Sequence, residues 1–430
     1  MNKNGLKSID LFAGCGGLSL GLHYAGWEGL FAVERDPMAF STFEKNFVGP
    51  GAPYGGFASW PEWLPKKQHD IKELLGSKAV RTHLKGLRGK IDLMAGGPPC
   101  QGFSVGGRRD GTDERNELVF HMLDAVDLVR PSVVVIENVE GIARPFVSRP
   151  GEAKASAAER ILRELKRLGY TGAFQVVRAE AFGVPQYRRR VIIVGFRDVT
   201  TTPGQLKKLL ASSLEDAALR VRGMWKLGNN EISAIDALGD LHGGTRVICP
   251  DSEKFESSTY TKARSAYAQA MRRGLPTKAI PDSHRFSVHG ERIQTLYRLA
   301  HETQPPGRLS KEFLLENETK KDKKVLIDAD KPVSTITTHP DEFIHYAEPR
   351  NITVREMARL QSFPDDFTFH GRYTINGPRR RHDVARCSQV GNAVPPLMAQ
   401  GIGYAIESTL RTLKEQTTPC EEGDQLAIPA

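Results

Sequence analysis

The stretch SIDLFAGCGGLSLGLHY, residues 8–24, decides the fold. SIDLF is an apolar, strand-like run that stops at AGCGG. Gly14, Gly16 and Gly17 permit a tight turn there and let a ligand approach the main chain. LSLGLHY then reads as a helix whose free N–H groups point back at the turn. The pattern repeats outward. Residues 30–33 read as a second strand, and Asp36-Pro37 supplies an N-cap followed by proline at the first helical position. Residues 91–95 form a third strand and residues 118–129 an amphipathic helix. SVVVI (residues 132–136) is a β-branched run of the kind buried in parallel sheets. Residues 157–168 carry a helical stripe at Ile161, Leu162, Leu165 and Leu168, and residues 174–177 and 191–196 are further strands. This alternation predicts an α/β fold: a doubly wound, mostly parallel sheet with helices on both faces. Ligands bind such sheets beyond the carboxyl ends of the strands.

Composition narrows the class. Hydrophobic residues at 39% and charged residues at 26% exclude a wholly disordered chain. No apolar run reaches the ~18–20 residues of a membrane span, and the first eight residues lack the order of a signal peptide. The five cysteines are an odd number without a CxxC pair, which argues against a disulfide framework or structural zinc and fits a reducing cytoplasm. Sixty Lys/Arg against 51 Asp/Glu leave a net +9, which favours a polyanionic partner but is equally met by a plain basic surface. Between about residues 200 and 331 the strand–helix rhythm breaks into short, irregular, strand-containing elements, read as a smaller second domain. Helices over residues 352–363 and 395–413 restore order before a polar tail from residue 415. Residues 49–67, rich in Gly, Pro and Trp, read as a surface loop.

Glu34 ends the second strand, twenty residues after Gly14, where a carboxylate can accept hydrogen bonds from ribose hydroxyls. With the glycine turn it points to a nucleoside cofactor. The spacing is not GxGxxG, since Ser19 stands where the third glycine belongs, and this opposes a nicotinamide dehydrogenase. GGPPCQGFS (residues 96–104) puts Cys100 at the ligand edge on a proline-stiffened loop. A cysteine nucleophile works as thiolate in polar, positive surroundings. The alternative is a buried structural cysteine, which so polar a loop disfavours. Glu137, in ENV at residues 137–139, is a carboxylate at the end of an apolar strand; it holds a proton, finds a specific partner, or merely caps a turn. In QYRRR (residues 186–190), Arg188 and Arg190 alternate along a strand entrance and project to one face. They could grip a phosphate or orient a carboxylate, unless they are solvated edge charges.

The blocks DLFAGCGG (residues 10–17), Glu34, Asp70-Ile71, GGPPCQGFS, Glu137-Asn138-Val139, QYRRR, REMARLQSFPDDF (residues 355–367) and QVGNAVPP (residues 389–396) follow one another in a single order. This order resembles the cytosine-5 DNA methyltransferase family, in its bacterial restriction–modification form, over about residues 7–198 and 331–410. The resemblance implies a Rossmann-like, S-adenosylmethionine-dependent catalytic domain from residues 1–199 and 332–414. Residues 200–331 would be a target-recognition domain and residues 415–430 a tail.

It also implies roles. Cys100 would add to ring carbon 6 of a flipped-out cytosine, so that carbon 5 can take the methyl group. Glu137 would bind the ring at N3 and the amino group and supply a proton. Asn138 would buttress the loop, and Arg190, with Arg188 behind it, would hold Glu137 and the base in register. Phe12, Gly14, Gly16 and Gly17 would cradle S-adenosylmethionine. Glu34 would hold its ribose and Asp70 its adenine amino group, with Pro98, Leu118 and Asn392 completing the pocket. Gln101 and Ser104 would fill the gap left by the flipped base. Arg115, with Arg108, Arg109, Arg379, Arg380 and Arg381, would meet phosphates. The implied partner is double-stranded DNA, met by a monomer, with no metal and no membrane, and with a companion restriction endonuclease as a further expectation. The implied setting is the bacterial cytoplasm, at the nucleoid when acting. Arg35 departs from the family, many of whose members carry an apolar or aromatic residue there that packs on the adenine; arginine could stack instead. A tRNA-acting relative would carry a Cys-Phe-Thr element that this chain lacks, and intact Cys100, Glu137 and Arg190 oppose a non-catalytic relic.

Overall fold

A computed structural model describes residues 5–99, 117–145, 155–319, 323–339, 341–374 and 383–417. Its centre is a sheet of six strands: β1 (Lys7–Leu11), β2 (Glu28–Val33), β3 (Leu93–Gly96), β4 (Val133–Val139), β5 (Tyr170–Arg178) and β6 (Arg189–Arg197). Their spatial order is β2-β1-β3-β4-β6-β5. The first four neighbours pair in parallel, and β6 runs antiparallel to both β4 and β5. Only about ten residues join β5 to β6, too few for a crossover, so the chain turns back on itself. β1, β3 and β4 are buried almost throughout, because helices cover both faces.

Among the described residues outside 225–353, the α-helices are α1 (Gly17–Tyr24), α2 (Pro37–Phe47), α3 (Ile71–Gly76), α4 (Lys78–Gly86), α5 (Leu118–Val129), α6 (Ala157–Arg167), α7 (Pro203–Met224), α8 (Val354–Leu360), α9 (Arg386–Asn392) and α10 (Pro396–Thr417). The predicted cap of α2 is present: Asp36 accepts from the N–H groups of Met38 and Ala39 at 2.9 and 2.8 Å. Ser156 and Glu159 form a capping box on α6. α10 returns to lie against α1. A Cβ on Gly21 would stand 2.3 Å from the Ala399 Cβ, and one on Gly403 would stand 2.7 Å from the Ala25 Cβ. These two positions lack a side chain where the helices approach most closely. Trp27 Nε1 donates to the Gly403 carbonyl at 3.2 Å.

Two expectations are corrected. Residues 203–224 are not irregular: they form α7, which buries Leu206, Leu210 and Val221 and packs on β5 and α10. Ser213 and Thr409 hydrogen-bond at 3.1 Å between the two helices, and Trp225 Nε1 donates to Gln400 at 2.8 Å. Residues 49–67 are irregular but not merely superficial. Tyr54, Phe57, Trp60 and Leu64 are buried, and Phe57 covers Gly29, where a Cβ would lie 2.3 Å from its ring. Turn-forming Gly and Pro between these aromatics masked their periodicity in the sequence.

After α7 come the hairpin Arg246–Ile248 with Glu256–Ser258, a three-stranded sheet of Gly307–Arg308, Val325–Leu326 and Phe343–Ile344, and the helices Ala234–Leu238, Ala266–Met271, Glu291–Thr303 and Lys311–Glu316, so this stretch too is more helical than the sequence suggested. A small core of Leu296, Tyr297, Phe313, Leu326 and Ile344 supports that sheet. Buried ion pairs join this region to α8. Arg359 lies 2.9 Å from Asp240 and 2.6 Å from Asp365, Arg355 lies 2.9 Å from Asp282, and Arg350 lies 2.7 Å from Glu356. Cys15, Cys249 and Cys387 are buried and free. Among the described residues, no helix is long and apolar enough to cross a membrane.

Candidate active site

The carboxyl ends of β1 and β2 carry the glycine turn and Glu34. Phe12, Gly14 and Gly16 all take positive φ, at 62, 58 and 101°. Nothing lies within 4 Å of where a Gly14 Cβ would stand, so the turn leaves an open cradle. A Cβ on Gly17 would instead meet the Val394 carbonyl at 2.3 Å, because the C-terminal block presses on the turn. Glu34 Oε2 accepts from the Gly14 N–H at 2.9 Å and Oε1 from the Asp36 N–H at 2.7 Å. The carboxylate therefore shapes the loop first, and each oxygen keeps a lone pair for a hydroxyl. Burial raises the Glu34 pKa, opposed by those N–H groups. Asp70 caps α3 by accepting from the Lys72 N–H at 2.7 Å, and Arg35 stands 3.9 Å from its other oxygen. Pro98 is buried, Leu118 opens α5 half-buried, and Asn392 is exposed at the end of α9.

Sequence reasoning missed the residues that bring the chain ends together here. Gln389 accepts from Thr42 at 2.7 Å, Asp36 accepts from the Val384 N–H at 2.9 Å, and the Cys15 thiol lies 3.6 Å from the Gln389 carbonyl. Burial pushes the Cys15 thiol up to about 12, which leaves it inert. Beneath the turn, Ser19 donates to Asp10 Oδ2, while Asp10 Oδ1 has no partner among the described residues. Burial raises Asp10 to about 7. Each of these contacts joins residues far apart in sequence or hidden in a strand, so no local signal marks them.

Glu137 lies near the end of β4, paired in register with Ile192 of β6. Arg190 Nε donates to Glu137 Oε1 at 2.9 Å, and the two side chains are 12% and 11% exposed. A Cβ on Gly97 would stand 3.2 Å from Glu137 Oε2, so the absence of a side chain lets the β3 loop close over the carboxylate. Asn138 Nδ2 donates to the Pro98 carbonyl at 3.1 Å, and its Oδ1 accepts from the Val139 N–H at 2.8 Å. A carboxyl gripped by a guanidinium can accept an amino hydrogen and exchange a proton with a ring nitrogen.

Arg188 differs from expectation. It is 2% exposed and donates to the carbonyls of Ile336, Gly391 and Ala393 at 3.2, 3.1 and 3.1 Å. β6 begins only at Arg189, so the alternation read from the sequence does not extend to Arg188. Its donors hold the segment around Asn392 rather than Glu137, and burial depresses its pKa. Cys100, Gln101, Ser104 and Arg115 lie outside the described residues, as do Arg108, Arg109, Arg379, Arg380 and Arg381. Among the described residues, no group of three or more His, Cys, Asp or Glu could hold a metal ion.

The family profile "C-5 cytosine-specific DNA methylase" matches residues 6–408. Type II methyltransferase M1.HphI of Haemophilus parahaemolyticus is 31% identical over 404 residues, covering 93% of this chain and 86% of its own. Type II methyltransferase M.XorII of Xanthomonas oryzae pv. oryzae is 30% identical over 448 residues, covering 98% and 89%. Among solved structures, a prophage-encoded E. coli protein assigned as a DNA modification methyltransferase superposes with TM-score 0.60 at 24% identity, over 95% of this chain and 99% of that one. The S. pombe Dnmt2 methyltransferase superposes with TM-score 0.51 at 14% identity, over 95% and 99%. At these identities the superpositions speak for the fold alone.

Proposed function

The chain belongs to the C-5 cytosine-specific DNA methylase family, and from that premise we propose how its residues divide the work. The reaction is transfer of a methyl group from S-adenosylmethionine to carbon 5 of cytosine in DNA. When bound, S-adenosylmethionine supplies an electrophilic methyl group. Phe12, Gly14, Gly16, Gly17, Glu34, Asp70, Pro98, Leu118 and Asn392 would hold it. The open space at Gly14 and the free lone pairs of Glu34 support that fit.

The target cytosine is stacked inside the duplex and must be flipped out to be reached, at a cost of a few kcal/mol. Gln101 and Ser104 fill the gap, and Arg115 holds the flanking phosphate. The Cys100 thiolate then forms a bond to ring carbon 6. As electron density shifts toward carbon 5, Glu137 gives a proton to N3, and Arg190 holds that carboxyl in place. Carbon 5 would take the methyl group as the methyl–sulfonium bond breaks and its electron pair stays on sulfur, leaving a neutral thioether, and carbon 5 would then lose its proton to a base in the site. The Cys100–carbon 6 bond breaks, Glu137 recovers the N3 proton, and the ring is aromatic again. Arg188 acts from behind, by fixing the segment that carries Asn392.

The catalytic unit comprises both ends of the chain together with α7, and the recognition part runs from about residue 233 to 331. Likeness to Type II methyltransferases supports a modification role beside a companion restriction endonuclease. We place the protein, acting as a monomer, in the bacterial cytoplasm at the nucleoid. The observation that carries this reading is the buried Glu137–Arg190 pair, lying against the loop that leads to Cys100. Expression in a host free of cytosine methylation, followed by bisulfite sequencing, tests it. The expected result is 5-methylcytosine at one position of one short recurring sequence. Unmodified DNA, or modification confined to RNA, contradicts it.

A further inference from the structure

Much of the net charge lies in one segment, of which the reaction uses only Asp70. Residues 66–90 hold eight Lys/Arg against two Asp/Glu, a net +6 out of the chain's +9. All eight cations are exposed. Lys78, Arg81 and Lys85 lie at i, i+3 and i+7 of α4, on one helical face, and Arg88 and Lys90 continue the row. Among the described residues, none of these five forms an ion pair, although exposed Arg167 and half-buried Arg130 and Arg197 elsewhere each find an acid. The pattern works against the helix itself. Like charges three and four apart repel, and α4 has no acid in its first turn to meet the macrodipole, although Lys85 suits its last turn. A helix face kept cationic at that cost is matched to an anion from outside.

The topology separates the Arg88–Lys90 end of this row from the active site. Arg88 donates to the Asp127 carbonyl at 3.2 Å and the Gly89 N–H donates to the Val129 carbonyl at 2.9 Å, both at the C-terminal end of α5. That end leads into the start of β4, so the lower half of the row lies at the strand-start edge. Glu34 and Glu137 lie at the other edge, about 15 Å away at 3.3 Å per strand residue. Phosphates bound along this row therefore lie outside the segment that presents the cytosine.

We infer that the α4 face is a second, sequence-independent site for the phosphate backbone of duplex DNA, which keeps the enzyme on long DNA while the target is sought. The inference rests on DNA being the substrate, and goes beyond the assignment of the catalytic residues. Phosphate contacts of this type release counterions, so each has a readable salt signature.

The test is binding of a duplex of about 60 base pairs built only from A·T pairs, measured across a salt series. Lacking cytosine, it offers the catalytic site no target base, so phosphate contacts alone are read. The wild-type protein is compared with Lys85→Glu/Arg88→Glu/Lys90→Glu and with the neutral set Lys85→Gln/Arg88→Gln/Lys90→Gln. Both variants should lower the slope of log affinity against log salt by about 2.7, at 0.9 per phosphate, and weaken binding at least about tenfold near physiological salt. Methyl transfer to a short duplex spanning only the recognition site, at saturating DNA, should be unchanged. Unchanged slopes in both variants would overturn the inference and leave the face to an acidic protein. So would an equal loss of short-duplex methylation, since the face would then belong to the catalytic interface. If the wild-type protein methylates no short duplex, the catalytic reading fails, while the A·T duplex still reports on this face.

Discussion

Arg190 Nε stands 2.9 Å from Glu137 Oε1, across neighbouring antiparallel strands, with both side chains nearly buried. The pair makes Glu137 a held carboxyl rather than a surface charge. Glu137→Gln should therefore cut turnover about 10²–10⁴-fold, the range of a lost acid–base group, while the Kd for S-adenosylmethionine stays within about twofold. Single-turnover kinetics and cofactor titration read the two effects separately. Arg190→Lys, which keeps the charge but not the planar donor, should fall between wild type and Arg190→Ala.

Arg188 bonds three carbonyls that belong to two distant segments. Arg188→Ala leaves those acceptors buried and unpaired, at about 1–3 kcal/mol each. The expected result is a loss of at least about 3 kcal/mol of stability in urea unfolding. In the fraction that remains folded, the KM for S-adenosylmethionine should rise more than kcat falls, because Asn392 sits between two of those carbonyls.

Glu34 spends its two oxygens on the N–H groups of Gly14 and Asp36. Glu34→Gln replaces one acceptor by a donor and forces one contact apart. Hydrogen bonds to a charged group contribute about 1.5–3 kcal/mol, so cofactor affinity should drop about ten- to a hundredfold by isothermal titration. An unchanged affinity would remove Glu34 from the cofactor site.

Asp10 and two buried histidines set opposing pH dependences. Burial raises Asp10 to about 7 and lowers His284 and His345 to about 4 and 3. Between about pH 4 and 6.5 the folded chain keeps one proton that the unfolded chain has lost, and refuses two that the unfolded chain takes up. Net, about one proton binds on unfolding, so these groups lower stability as pH falls through that window, by about 1.4 kcal/mol per pH unit. Asp10→Asn removes the offsetting proton. It should steepen the acid decline to about two protons and raise Tm at pH 8, where wild-type Asp10 is ionised in an apolar site. Melting temperatures from pH 4.5 to 8 check both signs.

Much of the catalytic half was legible because its signals are local. β-branched runs marked β4 and β6, Asp36-Pro37 marked α2, and the glycine turn marked the edge where ligands bind. The reversal of β6 was not, since strand direction depends on the length of a connection rather than on the strand's residues. α7 escaped because its stripe lay between polar stretches, and the buried aromatics of residues 49–67 because turn residues separate them. Arg188 was misread because alternation holds only inside a ladder, and it stands just outside one. α8, with Arg355, Glu356 and Arg359 all buried, carries no amphipathic face; its helix was legible and its ion pairs to Asp240 and Asp282 were not.

The central claim is that Cys100 bonds covalently to the target base, and mixing the protein with S-adenosylmethionine and a site-containing duplex whose target is 5-fluorocytosine tests it most directly. Fluorine at carbon 5 cannot leave as a proton, so release of the thiol is blocked after methyl transfer. The account predicts a protein–DNA band that survives denaturing gel electrophoresis, gives a peptide adduct at Cys100, and is absent with Cys100→Ser. No stable band with the correct site, or an undiminished band with Cys100→Ser, would contradict it.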